Sequence, residues 1–313
     1  MKILVTGGAG FIGSHISDAY IAAGHEVVIV DDLSSGKRGN LPAAAKFYHA
    51  DIRTPEAREI IRNERPQALS LHAAQMDVRK SVADPAFDAT VNVLGMINML
   101  EGAREVGVQK VLFASSGGAT YGEQETFPAS EDHPHNPLSP YGITKATGEH
   151  YLFFYHAIYG MPYVALRYAN VYGPRQDPHG EAGVVAIFAE KLLANHAPTI
   201  NGDGKQSRDY VFVGDVVRAN LLALEKPFVG SVNIGTGIET DVVTLYAHLR
   251  VLTGSPHPAT HGPAKAGEQR RSVIAIDKSK QVLGWKPEIP LEEGLRRTVE
   301  FFRARLQSAQ SGS

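Results

Sequence analysis

The chain has 313 residues, 43% of them hydrophobic and 20% charged, enough apolar material for one large or two modest globular domains. Its 31 basic and 33 acidic side chains leave a formal charge of −2 at pH 7, which argues against nucleic acid or an anionic membrane as partner and leaves phosphate recognition to individually placed arginines. There is no cysteine, so disulfides, thiolate catalysis and cysteine-bound metal are excluded, and no apolar run approaches the roughly 18 residues of a membrane span.

In chain order, the first apolar run (Ile3, Leu4, Val5) starts at Lys2. That leaves no room for a signal peptide, and a cytoplasmic location is expected. The run meets the loop Gly7-Gly8-Ala9-Gly10-Phe11-Ile12-Gly13, then a short helical pattern, a second apolar run (Val27 to Val30) and the paired Asp31 and Asp32. Glycines at Gly7, Gly10 and Gly13 permit a tight turn, close backbone approach to a pyrophosphate and close packing of helix on strand, and the helix aims its N-terminus at the phosphates. Asp31, about twenty residues on, can accept both ribose hydroxyls and would repel a 2′-phosphate. Strand, glycine loop, helix and acid together read as a dinucleotide site that prefers NAD to NADP.

A strand around Phe47 to Ala50 ends at Asp51, where a second acid could reach the adenine amino group. Thr54-Pro55-Glu56 opens a helix with a cap, a proline and an acid in its first turn. Ala68 to His72 reads as the fourth strand and Pro85 to Val106 as a long helix with Phe87, Val91, Leu94 and Asn98 along one face. Lys110 to Ala114 is a short buried strand. The alternation predicts an α/β fold, a doubly wound parallel sheet of the Rossmann kind. A Gly/Pro-rich loop (Gly117 to Pro140) leads to a helix over Tyr141 to Tyr159 and a strand at Tyr163 to Arg167; a loop of that length is more often functional than idle.

Beyond Asn170 shorter pieces follow: a helix near Val184 to Ala194, a turn at Asn201-Gly202-Asp203-Gly204, a strand at Asp209 to Val213, a helix to Leu224 and a strand at Ser231 to Ile234. Pro256 to Gly267 reads as a loop, and Leu291, Leu295, Val299, Phe302 and Leu306 as a helical apolar stripe. These pieces predict a smaller interleaved C-terminal substrate lobe. The expected division is a nucleotide domain of residues 1–166 plus about 209–235, a lobe of about 167–208 plus 236–306, and a disordered tail, 307–313. His72 is expected to be structural, and the remaining histidines show no metal-ligand spacing.

Tyr141 and Lys145 stand four apart, one helical turn from each other on one face. A free tyrosine titrates near ~10, and an adjacent cation lowers that by about 1 to 3 units. Tyr141 is therefore a candidate base near neutral pH; the bland alternative is an exposed helix start.

Taken together, the Gly7/Gly10/Gly13 loop, Asp31, Ser115-Ser116 and Tyr141-x-x-x-Lys145 resemble the extended short-chain dehydrogenase/reductase family. Ser81-Val82-Ala83-Asp84-Pro85, Ser116-Gly117-Gly118-Ala119-Thr120-Tyr121-Gly122, Leu166 to Arg175 (Leu-Arg-Tyr-Ala-Asn-Val-Tyr-Gly-Pro-Arg) and Gly202 to Tyr210 (Gly-Asp-Gly-Lys-Gln-Ser-Arg-Asp-Tyr) are similar to bacterial UDP-glucose 4-epimerases and related nucleotide-sugar epimerases, over nearly the whole chain. The resemblance implies resident NAD, a UDP-sugar between the lobes, and a homodimer built from the helices Pro85 to Val106 and Tyr141 to Tyr159. It implies Tyr141, Lys145 and Ser116 as catalytic residues. Asn170, Arg208 and Arg270 would meet the diphosphate and its surroundings, since guanidinium forks and amide donors suit such a group. The alternative for Arg208 is a salt bridge, and for Arg270 and Arg271 a solvated pair. Tyr168 would sit near the nicotinamide, or be a core aromatic. Phe11, Ile12, Asp32, Ile52 and Ala73 complete the cofactor-binding set.

One departure stands out. Counting back from Tyr121-Gly122, many members carry Ser or Thr where this chain has Gly117. Ser116 is taken as the substitute, with Ser115 or a water next. The same loop lacks the Asp-Glu pair of related sugar dehydratases, which argues against dehydration.

Overall fold

The computed structural model describes residues 1–179, 183–264 and 269–311. Its strands, in chain order, are β1 (Lys2–Thr6), β2 (Glu26–Asp31), β3 (Lys46–His49), β4 (Ala68–Leu71), β5 (Lys110–Ser116), β6 (Tyr163–Tyr168), β7 (Asn170–Tyr172), β8 (Thr199–Asn201), β9 (Ser207–Phe212), β10 (Gly230–Ile234), β11 (Glu239–Asp241), β12 (Thr260–Gly262) and β13 (Arg271–Ser272). The helices are α1 (Phe11–Ala22), α2 (Pro55–Glu64), α3 (Val78–Ala83), α4 (Pro85–Ala89), α5 (Met96–Val106), α6 (Gly117–Thr120), α7 (Pro140–Tyr159), α8 (Val184–Leu193), α9 (Val213–Glu225), α10 (Val242–Thr253), α11 (Asp277–Leu283) and α12 (Leu291–Ser311).

Seven parallel strands form the central sheet in the order β10-β6-β5-β4-β1-β2-β3. Apolar side chains occupy both faces of its inner strands, as a parallel sheet covered on both sides requires. Leu4, Val28, Leu69, Val111 and Ala165 pack on one face with Ile61 of α2, Leu100 of α5 and Leu152 of α7. Ile3, Ile29, Leu112, Val164 and Val232 pack on the other with Ile16 of α1 and Ala219 of α9. The strand order reverses between β1 and β4, and there the carboxyl ends of the strands open a crevice.

The smaller lobe has its own core, in which Phe188 of α8, Tyr210 and Phe212 of β9, Leu245 of α10 and Leu295 of α12 meet. β11, β9 and β13 make its sheet with β7 pairing β9, and β12 pairs β8. Three expectations change here. β9 belongs to the lobe, so the return to the central sheet begins at α9, not at Asp209. α12 runs to Ser311 and takes in most of the expected disordered tail; residues 312 and 313 lie outside the described residues. Within the Pro256 to Gly267 loop, β12 forms a short strand, and residues 265–268 lie outside the description.

The helix expected over Pro85 to Val106 is α4, a π-helical stretch (Thr90–Gly95) and α5 in succession. Its inward face holds Asp88, Asn92, Met96, Met99 and Ala103, one residue round from the expected stripe, and Leu94 faces out, 59% exposed. The long loop after β5 holds the one-turn helix α6.

Candidate active site

The crevice begins at the glycine loop. Gly7 has a left-handed φ of 71°, and a Cβ there would stand 2.6 Å from the Ala73 nitrogen at the end of β4. A Cβ on Gly13 would stand 2.2 Å from the Gly7 carbonyl oxygen. Only hydrogen fits at either place, so loop, strand end and helix close to a distance no side chain tolerates. α1 starts at Gly10 with no side chain capping it, leaving the first-turn N–H groups of Phe11, Ile12 and Gly13 to a ligand. Asp31 ends β2 buried; its Oδ2 accepts from the Ala9 N–H at 2.9 Å and its Oδ1 from the Leu33 N–H at 2.8 Å. Burial pushes its carboxyl up while these bonds pull it down, and each oxygen keeps a lone pair for a ribose hydroxyl. These features fit an adenine dinucleotide.

The other cofactor candidates are distributed unevenly. Asp32 accepts from the backbone N–H and hydroxyl of Ser34 in an exposed turn. Asp51 accepts from the Arg53 guanidinium, which holds its carboxyl below the usual range. Ile52 is buried, and its carbonyl accepts from Asn98 Nδ2 at 2.8 Å, so α5 clamps the chain at that point. Ala73 donates its N–H to Thr6 Oγ1 at 3.2 Å.

Ser139 caps α7 by accepting from the Gly142 N–H at 3.2 Å, and Pro140 supplies the first helical residue. That places Tyr141 at the crevice mouth and Lys145 one turn deeper. Lys145 is 4% exposed, donates to the Ala114 carbonyl at 2.8 Å, and has its Nζ 5.6 Å from the centre of the Tyr141 ring. Burial pushes its ammonium down to about 8. Tyr168, at the end of β6, borders the cavity with its ring while its hydroxyl bonds inward, 3.2 Å from His72 Nε2 and accepting from Asn220 Nδ2 at 2.8 Å. Tyr168 thus borders the cavity while its hydroxyl is tied into the core. Burial, helped by the Lys145 charge, pushes the His72 imidazole down to about 3, so it is neutral and structural as expected.

At the end of β5 two serines border the cavity, each with a different partner. Ser115 is 3% exposed, and its Oγ donates to Glu149 Oε1 at 2.5 Å. Glu149 pairs in turn with Arg167 at 2.7 Å; burial would raise the glutamate, and the guanidinium outweighs it and holds the carboxyl low. Ser116 borders the cavity and accepts from the Ala119 N–H at 3.2 Å as the cap of α6. A Cβ on Gly117 would meet Ile274 at 3.0 Å and the Arg167 carbonyl at 3.3 Å, neither of which lines the cavity.

The cavity, about 700 Å³, runs between the sheet and the lobe and brings together Phe11, Ile12, Ser116, Tyr141, Tyr168, Asn170 and Arg208. Arg208 also donates to the Ser207 carbonyl at 2.8 Å. The structure does not bring Arg270 to this cavity. Its guanidinium makes a two-point pair with exposed Asp203, 2.9 Å on each arm. Sequence reasoning assigned no role to Gln206, which lies within the Gly202 to Tyr210 stretch, and passed over Gln269 and Ser272, polar side chains that also line the cavity. Among the described residues, no group of three or more His, Asp or Glu is placed to hold a metal, and no helix is long and apolar enough to cross a membrane.

Comparison with known proteins accords with this geometry. A family profile, the NAD dependent epimerase/dehydratase family, matches residues 3–235. The chain is similar to the UDP-glucose 4-epimerase of Mycolicibacterium smegmatis, 47% identical over 313 residues that cover 98% of this chain and 100% of the relative. Among solved structures, Thermotoga maritima UDP-glucose 4-epimerase with UDP-glucose superposes with a TM-score of 0.96 at 50% identity, covering 98% of this chain and 100% of the other. The Thermus thermophilus UDP-glucose 4-epimerase in complex with NAD does so with 0.92 at 45% identity, covering 97% and 99%.

Proposed function

The chain belongs to the NAD dependent epimerase/dehydratase family, and on that premise we propose that it is an NAD-dependent UDP-glucose 4-epimerase, interconverting UDP-glucose and UDP-galactose. The observation that carries this reading is the meeting of Tyr141 and Ser116 in one cavity with Asn170 and Arg208, beside the glycine loop. The Gly7 to Gly13 loop, the α1 N-terminus and Asp31 would hold NAD, which would supply the acceptor for the C4 hydride of the sugar and the donor for its return.

The chain's own residues do the rest. Tyr141 takes the proton of the 4-hydroxyl as the carbonyl forms and returns one as it is reduced. Lys145 keeps positive charge beside the phenol and favours its ionised form. Ser116, whose hydroxyl is not committed to Glu149 as that of Ser115 is, hydrogen-bonds the 4-oxygen and helps to orient it. Arg208 and Asn170 hold the diphosphate, so that the 4-keto sugar can turn about its link to it while one tyrosine serves both faces. The protein would work as a homodimer through the outer faces of α5 and α7.

The test is the fate of the C4 hydrogen. Deuterium placed at C4 of UDP-glucose is expected at C4 of the product with none lost to solvent, since the same hydrogen must return before the keto sugar leaves. Deuterium at C6, as a dehydratase would put it, or a strict need for external reductant overturns the epimerase reading.

A further inference from the structure

Behind the catalytic helix lies a carboxylate that this mechanism leaves idle. Asp88, the fourth residue of α4, is 0% exposed. Its Oδ1 accepts from Gln75 Nε2 at 2.8 Å and Asn92 Nδ2 at 3.1 Å, and its Oδ2 lies 2.9 Å from the Thr144 hydroxyl. The two amides can only donate, so Oδ1 is held as an acceptor by neutral groups, and among the described residues no cation stands within ion-pair distance of the carboxylate. A buried charge so placed is costly unless a counter-charge answers it.

The answering charge is one residue along. Thr144 precedes Lys145 on α7, and Lys145 is itself buried, with the Ala114 carbonyl as the hydrogen-bond acceptor of its ammonium. The other charged or titratable groups around it do not compensate it. His72, past the end of β4, is neutral; Glu149, one turn on along α7, is spent on Arg167; β5 offers the Phe113 ring, 5.0 Å from Nζ. The Asp88 charge is the electrostatic influence that opposes burial and raises the lysine.

We propose that Asp88 is the buried counter-ion of Lys145, a positioning residue that keeps the ammonium charged beside Tyr141 and, through Thr144, holds the first turn of α7 in place. Asn92 completes the device. It donates to Asp88 from within the π-helical stretch, and its Oδ1 accepts from the Gln75 N–H at 2.8 Å, tying the carboxylate to the segment whose Met76 and Asp77 border the cavity. Backbone irregularities of this kind recur next to functional groups.

The inference rests on the reading of Lys145 as the cation beside the base, and its test does not depend on which sugar is turned over. In protein labelled with ¹³C at the lysine ε-carbon, with the Lys145 signal assigned by its loss in Lys145→Met, the Lys145 midpoint is expected to fall by about one pH unit or more in Asp88→Asn. The alkaline limb of turnover should move down with it. Thr144→Val keeps the carboxylate and should leave the midpoint where it is. An unmoved midpoint in folded Asp88→Asn, or an equal fall in Thr144→Val, overturns the proposal. Should Asp88→Asn fail to fold, the reciprocal measurement decides: Lys145→Met must raise the Asp88 titration followed at its carboxyl carbon, and an unchanged titration overturns the counter-ion role. Undiminished turnover in Lys145→Met would instead defeat the reading of Lys145 itself.

Discussion

At the scale of single residues, adjacent serines bordering one cavity have different partners. Both border the cavity, but the Ser115 hydroxyl is bound to buried Glu149 whereas Ser116 caps α6, so their alanine variants should fail differently. Ser116→Ala is expected to lower kcat by about tenfold to a hundredfold, the scale of a hydrogen bond to a reacting oxygen, with a stability loss limited to that of a helix cap. Ser115→Ala should lower stability by about 1–3 kcal/mol, because it leaves a buried carboxylate oxygen short of a donor, with kcat much less affected. Parallel measurement of kcat and urea denaturation on both variants checks this, and the reverse pattern would exchange their roles. Where local spacing decides which residues meet, as for Tyr141 and Lys145 or Gly7 and Gly13, their proximity was legible in the sequence. Arg270 was not, because whether a guanidinium meets a diphosphate or Asp203 is decided by folding of a loop that spacing does not describe. Asp88 was passed over for a related reason: in a helical pattern a charged residue is read as solvent-facing.

At the scale of elements, the same rule explains the misread helix. Phe87, Val91 and Leu94 make an apolar stripe at helical spacing, yet the buried face is the neighbouring one, headed by Asp88 and Asn92, since two polar side chains that satisfy each other are welcome inside. The first βαβ unit, by contrast, was fully legible, because its glycines are demanded by the backbone itself. Gly13→Ala is therefore expected to lower stability by about 1–3 kcal/mol through overpacking against Gly7 and to weaken NAD binding by roughly tenfold or more. Gly39→Ala, where a Cβ would meet no atom within 4 Å, is the control and should change neither. Calorimetric titration of NAD-stripped protein, with thermal melts alongside, measures both effects. Wild-type affinity in Gly13→Ala would mean that the loop can open without cost.

At the scale of the whole molecule, alternation predicted the sheet and its flanking helices, but the seam between domain and lobe escaped, since β9 has the look of any buried strand and its partners β7, β11 and β13 lie far apart in sequence. The outer face of α7 keeps Phe153 (62%) and Ile158 (63%) exposed, and α7 packs beside the π-helical stretch that exposes Leu94. Large apolar groups left exposed in this way suit the association surface proposed above. Light scattering is expected to give twice the 33.8 kDa chain mass, and Phe153→Glu with Ile158→Glu to give the single mass; a wild-type monomer at working concentration would rule the dimer out. The interleaved path has a consequence for synthesis. β6, every residue of it buried, pairs on its outer side with β10, which leaves the ribosome roughly sixty residues later, after most of the lobe's first half. At about 5–20 residues per second, the nascent chain carries a bare, apolar strand edge for several seconds, a template for the wrong partner in a crowded cell. Chaperone demand in this protein should thus concentrate in the window between the emergence of Tyr168 and that of Ile234.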